Sequence, residues 1–385
     1  MRAGIVAEYN PFHNGHLYQI EETEKYSPKL VMTVVSGDFV QRGEFSFIDK
    51  WEKTEVALNN GIDLVVELPL YYSLQNAEVF CREALKILEY MEADIQIFGA
   101  ETGDINKLNE VIQIQNTDSY ARLLKKYLKN GESYSVSHHK ALAEFGMGDF
   151  FLSNNILAME YMKTIRKKGF HIKPYIVERK GTGYNETEIT ENITSASNIR
   201  KIYKEGRLAE NRNVMPKEVY SIIKSKAEED SSIEDRLYEL FRYKILTCER
   251  KELEKVYDMS EDFLNRLFRQ ASCSNTYNSF TANMKSRNFS VSRIKRSILN
   301  VLLDIKEKDI QDSEPEYVRV LGFNQRGREH LHRLVKINKK EKIYTNWKDI
   351  EKLNNRKVKT EKNGFLLKEL ILKRKEKLNS IIKVR

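Results

Sequence analysis

The chain has 385 residues, of which 41% are hydrophobic and 31% are charged, and it contains three widely spaced cysteines. This composition is typical of a soluble globular protein, and the length favours two domains. No stretch approaches the roughly 18 uncharged apolar residues of a membrane span, and Glu8 interrupts the first apolar run too early for a signal peptide. The cysteines form no C-x-x-C pair, which argues against disulfides or zinc. We therefore expect a cytoplasmic protein that does not enter a membrane.

The net charge of +9 is concentrated near the C-terminus. Residues 341–385 contain 14 lysines and arginines against 6 acidic residues, a net charge of +8. A solvated lysine-rich helix face is the simple interpretation of such a segment. The functional alternative is a surface for a polyanion, with nucleic acid considered first and anionic lipid second.

The first 200 residues alternate strand-like and helix-like segments, which is typical of an α/β domain. Apolar runs predict strands at Arg2–Ala7, Lys29–Ser36, Ile62–Leu68, Asp94–Phe98 and His171–Val177. Helices are predicted at 15–25, 49–59, 75–92 and within 104–168, with Asp49 as a cap and Asn60-Gly61 as a stop signal. Because the strands lack a clean polar alternation, we expect a parallel sheet covered on both faces.

Beyond Ile199 the pattern changes. Apolar residues recur at a spacing of three and four up to about residue 310, which predicts helices. One short strand is predicted at Tyr317–Gly322, before a basic helical tail. The predicted fold is therefore a Rossmann-like α/β domain with a parallel sheet, residues 1–205, followed by a mainly α-helical, basic C-terminal domain, residues 206–385.

Two of the seven histidines, His13 and His16, lie in the first predicted strand-to-helix turn, within GIVAEYNPFHNGHLYQI. In an open α/β sheet ligands bind at such turns, and the N-terminus of a helix favours an anion such as phosphate. Gly15 lets a phosphate approach the backbone, and two imidazoles add donors for charge that develops on phosphorus or pyrophosphate. The alternatives are two surface histidines or half of a metal site, for which we find no further ligands. The position of the pair favours phosphate.

Several motifs carry a resemblance to known enzymes. HNGH resembles the H-x-G-H signature of the nucleotidyltransferase superfamily, which acts on the α-phosphate of ATP and expels pyrophosphate. SASNIR, residues 195–200, is similar to a second element of that superfamily, although a serine-capped helix start would look alike. EYNPFHNGH, SGDFVQRGE, DLVVELP, FGAE, SNNILAMEY and VLGFNQRG together resemble the bacterial tRNA(Met) cytidine acetate ligase family over nearly the whole chain.

The resemblance implies an ATP-dependent ligase. Acetate and ATP would form acetyl-adenylate with release of pyrophosphate, and the acetyl group would pass to N4 of the wobble cytidine of elongator tRNA(Met), giving N4-acetylcytidine. The implied partners are acetate, ATP with Mg²⁺, and this tRNA. Two rival interpretations stay open: a small-molecule adenylyltransferase of cofactor biosynthesis, and a non-catalytic RNA-binding protein that keeps nucleotide affinity.

The resemblance also implies site residues. His13 and His16 are the implied catalytic pair, and no metal ligand is predicted. The implied ATP-binding stretch is Val6, Ala7, Glu8, Tyr9, Asn10, Pro11, Phe12, His13, Asn14, Gly15, His16, Leu17, Tyr18 and Gln19. Further implied nucleotide contacts are Gly99, Asn154 with Asn155 as its alternative, Arg179 before a GxGY turn, Lys180 and Arg200.

Polar residues also surround the loop after the second strand. They are Asp38, Gln41, Arg42, Asp49 and Lys50. Such residues are usually solvated, and lining an acetate or cytidine pocket is the alternative. Asp38 stands where the family carries asparagine.

The stretch KSRNFSVSRIKR, residues 285–296, interleaves basic side chains with an aromatic one. Basic side chains contact phosphates, and an aromatic ring can stack on an exposed base. The alternative is the solvated start of a helix. The predicted RNA-binding residues are Lys285, Arg287, Phe289, Arg293, Lys295 and Arg296.

Overall fold

The computed structural model describes residues 1–180, 189, 192–226, 232–287, 289–311, 314–337, 340–373, 375 and 377–384. Within these residues the strands are β1 (Arg2–Ala7), β2 (Leu30–Ser36), β3 (Phe39–Val40), β4 (Glu44–Phe45), β5 (Leu64–Leu68), β6 (Ile95–Ala100), β7 (Lys173–Glu178), β8 (Val318–Phe323), β9 (Ile343–Tyr344) and β10 (Ile382–Lys383).

The α-helices divide into those before and those after residue 205. The first group is α1 (Asn14–Glu24), α2 (Lys50–Asn59), α3 (Leu70–Ser73), α4 (Ala77–Tyr90), α5 (Ile105–Gln115), α6 (Asp118–Lys129), α7 (Tyr134–Ala143), α8 (Ser153–Lys168) and α9 (Ala196–Lys204). The second group is α10 (Lys217–Ser225), α11 (Ile233–Thr247), α12 (Arg250–Leu253), α13 (Glu261–Cys273), α14 (Tyr277–Met284), α15 (Val291–Leu302), α16 (Gln325–Lys336), α17 (Trp347–Glu351) and α18 (Arg356–Leu372).

The main sheet is mixed and mostly parallel, in the order β10-β8-β5-β2-β1-β6-β7, with β9 beside β8. Only the β5–β8 pair among the paired strands of this sheet in the described residues is antiparallel. Every residue of β2 and of β5 is buried, because helices cover both faces. The predicted α/β class is confirmed. The strands β3 and β4 form a separate hairpin directly after β2.

Capping residues define the helix boundaries as the sequence predicted. The Asp49 carboxylate accepts the backbone N–H of Trp51 at 2.7 Å, and Glu52 completes a capping box at the start of α2. The helix ends at Asn59, and Gly61 follows with a φ of +100°. This left-handed conformation favours glycine, so the stop signal at Asn60-Gly61 is confirmed.

The last part of the chain completes the sheet of the first part. The strand predicted at Tyr317–Gly322 is present as β8, and it pairs with β5 rather than standing apart. A continuous cluster of buried apolar side chains also runs from Phe39 and Leu70 to Phe241, Phe280 and Ile298 of the helices beyond residue 205. The boundary near residue 205 stays a prediction, and within the described residues the β5–β8 pair joins the parts of the sheet on its two sides. In the part of the chain that the structure describes, no helix is long and apolar enough to cross a membrane.

Candidate active site at the first strand-to-helix turn

The two histidines form the N-terminal cap of α1. Nδ1 of His13 accepts the backbone N–H of Gly15 at 3.0 Å, and Nδ1 of His16 accepts the backbone N–H of His13 at 3.2 Å. The rings stack with their centroids 3.8 Å apart and their planes at 27°. The reciprocal bonds make a capping box built from imidazoles. The spacing of three residues therefore has a structural reason as well as a chemical one.

These bonds determine the tautomer of both rings. A ring nitrogen that accepts a hydrogen bond carries no proton, so each neutral imidazole holds its proton on Nε2. Burial, with a smaller contribution from nearby Arg179, lowers the pKa of His13 to about 3. Burial, His13 and Arg179 together hold the pKa of His16 well below its ordinary value. Near neutral pH both histidines are uncharged and offer an Nε2–H donor at the N-terminus of a helix.

Gly15 is required by the stacked pair. A Cβ at this position would lie 2.8 Å from Cε1 of His13 and 3.0 Å from its Nδ1, so the ring would have to move. Neighbouring segments also hold the turn. The Asn14 side chain donates to the backbone oxygens of Asn192 at 2.9 Å and Asn213 at 2.7 Å. Nη1 of Arg200 donates to the backbone oxygen of Asn10 at 2.6 Å, which brings the SASNIR helix to the HNGH turn.

A second group of predicted residues meets at the end of β6. Nη1 of Arg179 donates to Oδ1 of Asn154 at 3.3 Å, and Gly99 lies under the Arg179 side chain. A Cβ at Gly99 would meet Arg179 Cγ at 3.4 Å, an ordinary contact, so packing does not require glycine there. The Arg179 guanidinium also lowers the pKa of both histidines, so its charge acts on the HNGH turn.

The choice between Asn154 and Asn155 follows from their hydrogen bonds. The Asn155 side chain is buried and accepts the backbone N–H of Glu101 at 2.9 Å, so it joins α8 to β6. The Asn154 side chain bonds Glu101 at 2.7 Å and Arg179 instead. Asn154 is thus the one that contacts the site. Glu101, which sequence reasoning missed, orients it. Glu101 lies in the FGAE motif, but its partners Asn154 and Asn155 are more than 50 residues away in the chain, so the sequence does not reveal that it orients Asn154.

The remaining residues of the predicted ATP-binding stretch are mostly supporting. Val6 and Ala7 belong to β1, whereas the rings of Tyr9 and Phe12 pack against His16 at 4.9 Å and 5.4 Å. Leu17 and Tyr18 contact the apolar cluster behind α1, and Nε2 of Gln19 donates to the backbone oxygen of Ile97 at 3.1 Å. Nζ of Lys180 lies 4.4 Å from the centroid of the Tyr18 ring. The GxGY turn after Lys180, residues 181–184, lies outside the described residues.

A buried lysine joins the carboxyl ends of β1 and β2. Nζ of Lys53 donates to the backbone oxygens of Glu8 at 2.9 Å, Ser36 at 3.0 Å and Gly37 at 3.3 Å. Its side chain is fully buried, and burial lowers its pKa to about 8. Sequence reasoning missed Lys53 because a lysine in a helix usually lies in solvent. The available signal was its position three and four residues before Val56 and Ala57, on the apolar face of α2.

The polar residues predicted around the loop after β2 are largely buried in ion pairs. Lys50 pairs with Asp38 at 3.0 Å and with Glu67 at 2.9 Å. Lys368 of α18 pairs with Asp38 at 2.8 Å and with Asp49 at 3.3 Å. With Arg319, 3.0 Å from Glu67, and Glu361, these residues form what we call the charged cluster: Asp38, Asp49, Lys50, Glu67, Arg319, Glu361 and Lys368. Its members join α18 to the sheet, and a role in an acetate or cytidine pocket stays a prediction.

The predicted RNA-binding residues are only partly available to a ligand. Arg293 pairs with Asp258 at 2.8 Å and lies over Phe263 and Phe289, whose rings contact each other. Nζ of Lys295 pairs with Glu44 at 2.7 Å, Arg296 Nη1 donates to the backbone oxygen of Gln41 at 3.4 Å, and Arg287 donates to Gly131 at 2.7 Å. Lys285 and Arg287 remain exposed. RNA binding by this set stays a prediction.

The site is built from donors rather than from metal ligands. Within the described ranges, no group of three or more His, Cys, Asp or Glu side chains is arranged to hold a metal ion. Two neutral imidazole donors, the free N–H groups of a helix N-terminus and the Arg179 guanidinium suit a phosphate chain. Glycine at position 99, beside Arg179, is not required by packing, since an added Cβ would make only an ordinary contact. The fold is a Rossmann-like α/β fold, and the class of protein it indicates is a nucleotide-binding enzyme.

Comparisons with known proteins agree with this class. The family model described as HIGH Nucleotidyl Transferase matches residues 1–380. The tRNA(Met) cytidine acetate ligase of Fusobacterium nucleatum is 34% identical over 385 residues, covering 97% of this chain and 91% of that protein. The protein of the same name from Clostridium botulinum strain Okra is 36% identical, covering 89% of this chain and 88% of that protein.

Solved structures give the same result. The apo crystal structure of Thermotoga maritima TmcAL has a TM-score of 0.85 and 27% identity, covering all of both chains. The form of that protein bound to alpha-thio ATP has a TM-score of 0.81 and 28% identity, covering 96% of this chain and 94% of the other. The chain is a HIGH nucleotidyltransferase by fold and sequence. It belongs to the tRNA(Met) cytidine acetate ligase family.

Proposed function

We propose that the protein activates acetate with ATP and transfers the acetyl group to N4 of the wobble cytidine of elongator tRNA(Met). The names of relatives that match nearly the whole chain support the ligase activity and the tRNA substrate. A solved neighbour with a bound ATP analogue supports the nucleotide. Because the proposed substrates are ATP and tRNA, we expect this activity in the cytoplasm.

The observation that carries the proposal is the pair of Nε2–H donors at the N-terminus of α1. Hydrogen bonds to backbone N–H groups keep the proton on Nε2 of His13 and His16, and the lowered pKa values keep both rings neutral. Such donors, with Arg179, would bind the phosphates of ATP and stabilise the charge that develops on the leaving pyrophosphate. Gly99 would lie against the nucleotide, and Asn154 would hold the Arg179 side chain in place.

In the first step, an acetate oxygen forms a bond to the α-phosphorus, and the bond from this phosphorus to the β-phosphate oxygen breaks. Acetyl-adenylate and pyrophosphate are the products. Acetate is already ionised near neutral pH, so the site must position it and neutralise charge, and it needs no general base for this step. Mg²⁺ would be held by the phosphates and water, since Mg²⁺ retains water and binds ATP oxygens readily.

In the second step, N4 of the cytidine attacks the acetyl carbonyl carbon, and the bond from that carbon to the adenylate oxygen breaks. AMP leaves with the electron pair, and the proton that N4 loses passes to solvent water. Neutral His13 and His16 can again donate to the phosphate of the leaving AMP. The exposed Lys285 and Arg287 are the members of the predicted RNA-binding set that are best placed for tRNA phosphates.

The testing experiment is ATP–pyrophosphate exchange with purified protein and Mg²⁺, with and without acetate, before any tRNA is added. We expect exchange that requires acetate. Exchange that does not depend on acetate but requires another small molecule would favour an adenylyltransferase of cofactor biosynthesis. Absence of exchange both with and without tRNA would contradict enzymatic activation and would leave a binding protein.

A further inference from the structure

The β3–β4 hairpin lies between the HNGH turn and the helices beyond residue 205. On one side, the backbone N–H of Gln41 donates to Oε1 of Glu8 at 2.6 Å. On the other side, the backbone oxygen of Gln41 accepts from Arg296 at 3.4 Å, and Glu44 pairs with Lys295 at 2.7 Å. Both contacts are made by the hairpin tip, residues 41–44. The tip is thus fixed at the junction of the nucleotide site and α15.

The junction is tightly packed. Gly43 has a φ of +78°, and a Cβ there would lie 2.5 Å from the backbone nitrogen of Arg296. Only glycine therefore allows the tip to approach the start of α15 so closely. Behind the tip, Nζ of Lys53 donates to the backbone oxygens of Glu8 and Ser36, which joins the base of the hairpin to the HNGH turn. A side chain on this tip has a well-defined position relative to the site.

One polar group on the tip makes no hydrogen bond to the described residues of the folded chain. Nε2 of Gln41 is buried and has no hydrogen-bond partner among the described residues. A buried amide donor without a partner is costly, so native structures seldom keep one unless a ligand or water satisfies it. Arg42, next to Gln41, is exposed. Burial raises the pKa of Glu44, but Lys295, and to a smaller extent Arg200 and Arg42, lower it below its ordinary value. The surroundings of the tip are therefore positively charged and suit a nucleic acid.

We propose that Gln41 contacts the target cytosine, with its side-chain amide donating to an acceptor on the Watson–Crick edge of the base. This inference rests on the proposed function. The edge of cytosine offers N4, which must face the acetyl carbon, and the acceptors N3 and O2, which remain for the protein. An amide N–H suits either acceptor, and glutamine is a residue that reads base edges. The tip would thus place N4 near the adenylate bound at the HNGH turn.

The experiment compares two reactions in the same preparations of protein. The first is acetate-dependent ATP–pyrophosphate exchange, which needs no base contact. The second is transfer of radiolabelled acetate to an elongator tRNA(Met) transcript. The variants are Gln41→Ala, which removes the amide, Gln41→Glu, which replaces the donor by an acceptor, and Gln113→Ala, a matched control at an exposed glutamine of α5.

We expect Gln41→Ala to lower kcat/KM for transfer by about 10- to 100-fold, the scale of one base-reading contact, while exchange stays within about twofold. Gln41→Glu should lower transfer at least as much, and Gln113→Ala should change neither reaction. Unchanged transfer in Gln41→Ala would overturn the proposal. An equal fall of both reactions would also overturn it, because that is the result of a displaced hairpin. Absence of exchange in the unmodified protein would instead count against the proposed function.

Discussion

At the scale of single residues, the proposed function gives the histidine pair two tasks that are usually separate. Capping a helix needs acceptors, and binding a phosphate needs donors. An imidazole has both: Nδ1 of each histidine caps the helix, and Nε2–H is the donor that the proposed function assigns to phosphate. The two tasks can be separated by mutation, because asparagine caps helices well but cannot supply the second donor in the same place.

The first prediction concerns His13→Asn. Asparagine should keep the cap, so the free energy of unfolding should change by only a few tenths of a kcal/mol, whereas His13→Ala should lose about 1 kcal/mol. Exchange should fall by about 100-fold or more in both variants, since each lacks the Nε2–H donor. Urea unfolding and acetate-dependent exchange measure the two effects. Substantial exchange in His13→Asn would show that the donor is dispensable.

The second prediction contrasts two glycines of the site. Gly99→Ala adds a methyl group that packing tolerates at 3.4 Å, so stability should be unchanged or rise by up to about 1 kcal/mol. The methyl group should obstruct the nucleotide and raise the KM for ATP about tenfold. Gly15→Ala should displace His13 and lower kcat. Steady-state exchange kinetics with varied ATP distinguish them, and an unchanged KM in Gly99→Ala would mean that the nucleotide does not approach this strand end.

At the scale of elements, the charged cluster joins α18 to β5 and to the loop after β2. Within it, Glu361 accepts the backbone N–H of Leu70, and burial together with Glu67 raises its pKa to about 8. A carboxyl that keeps its proton in the folded state while the unfolded chain ionises makes stability depend on pH. The folded chain binds more protons between the ordinary value of 4.5 and about 8.

The third prediction follows from that difference. The contribution of Glu361 to stability is full below about pH 4.5 and is lost as the pH rises to about 8, with a slope of at most about 1.4 kcal/mol per pH unit. Glu361→Gln should remove this slope, so the variant should gain stability relative to the unmodified protein as the pH rises from 5 to 8. Urea unfolding at several pH values measures it, with Glu239→Gln, at an exposed position of α11, as control. Parallel pH profiles would contradict the assignment.

The elements themselves could be predicted where the signal is local. Asp49 predicted the start of α2 and Asn60-Gly61 its end. The apolar runs predicted β1, β2, β5, β6 and β7 to within two residues at every boundary. The pairing of β8 with β5 could not be read in this way, because the partners lie far apart in the chain and no local pattern encodes their antiparallel register. The same reason explains why the sequence did not reveal the buried positions of Lys53 and Glu361. Each is a charged side chain whose partners come from distant segments, so its sequence context resembles that of a solvated residue.

At the scale of the whole molecule, the two parts of the chain share a sheet and a core. Removing β8 would expose one edge of β5, and removing α18 would leave Asp38 and Asp49 without Lys368. An exposed edge of a central strand and the loss of the Lys368 ion pairs both destabilise a fold.

The fourth prediction is that a fragment of residues 1–205 does not fold independently. We expect it to lack a cooperative thermal transition and to aggregate, although it contains the whole HNGH turn. Circular dichroism during heating and size-exclusion chromatography provide the test, with the full chain as control. A soluble fragment with a sharp transition would show that residues 1–205 are an autonomous domain.

The antiparallel pairing of β5 with β8 has a consequence for synthesis of the protein. About 250 residues separate Leu68 from Val318, so a ribosome adding about 5–20 residues per second needs roughly 12 to 50 s to supply the missing neighbour. During that time the emerging chain displays an apolar strand with an open side, which is a natural target for a chaperone. We therefore expect codon choice and translation speed across the intervening helices to change the yield of folded protein even when its amino-acid sequence is unchanged.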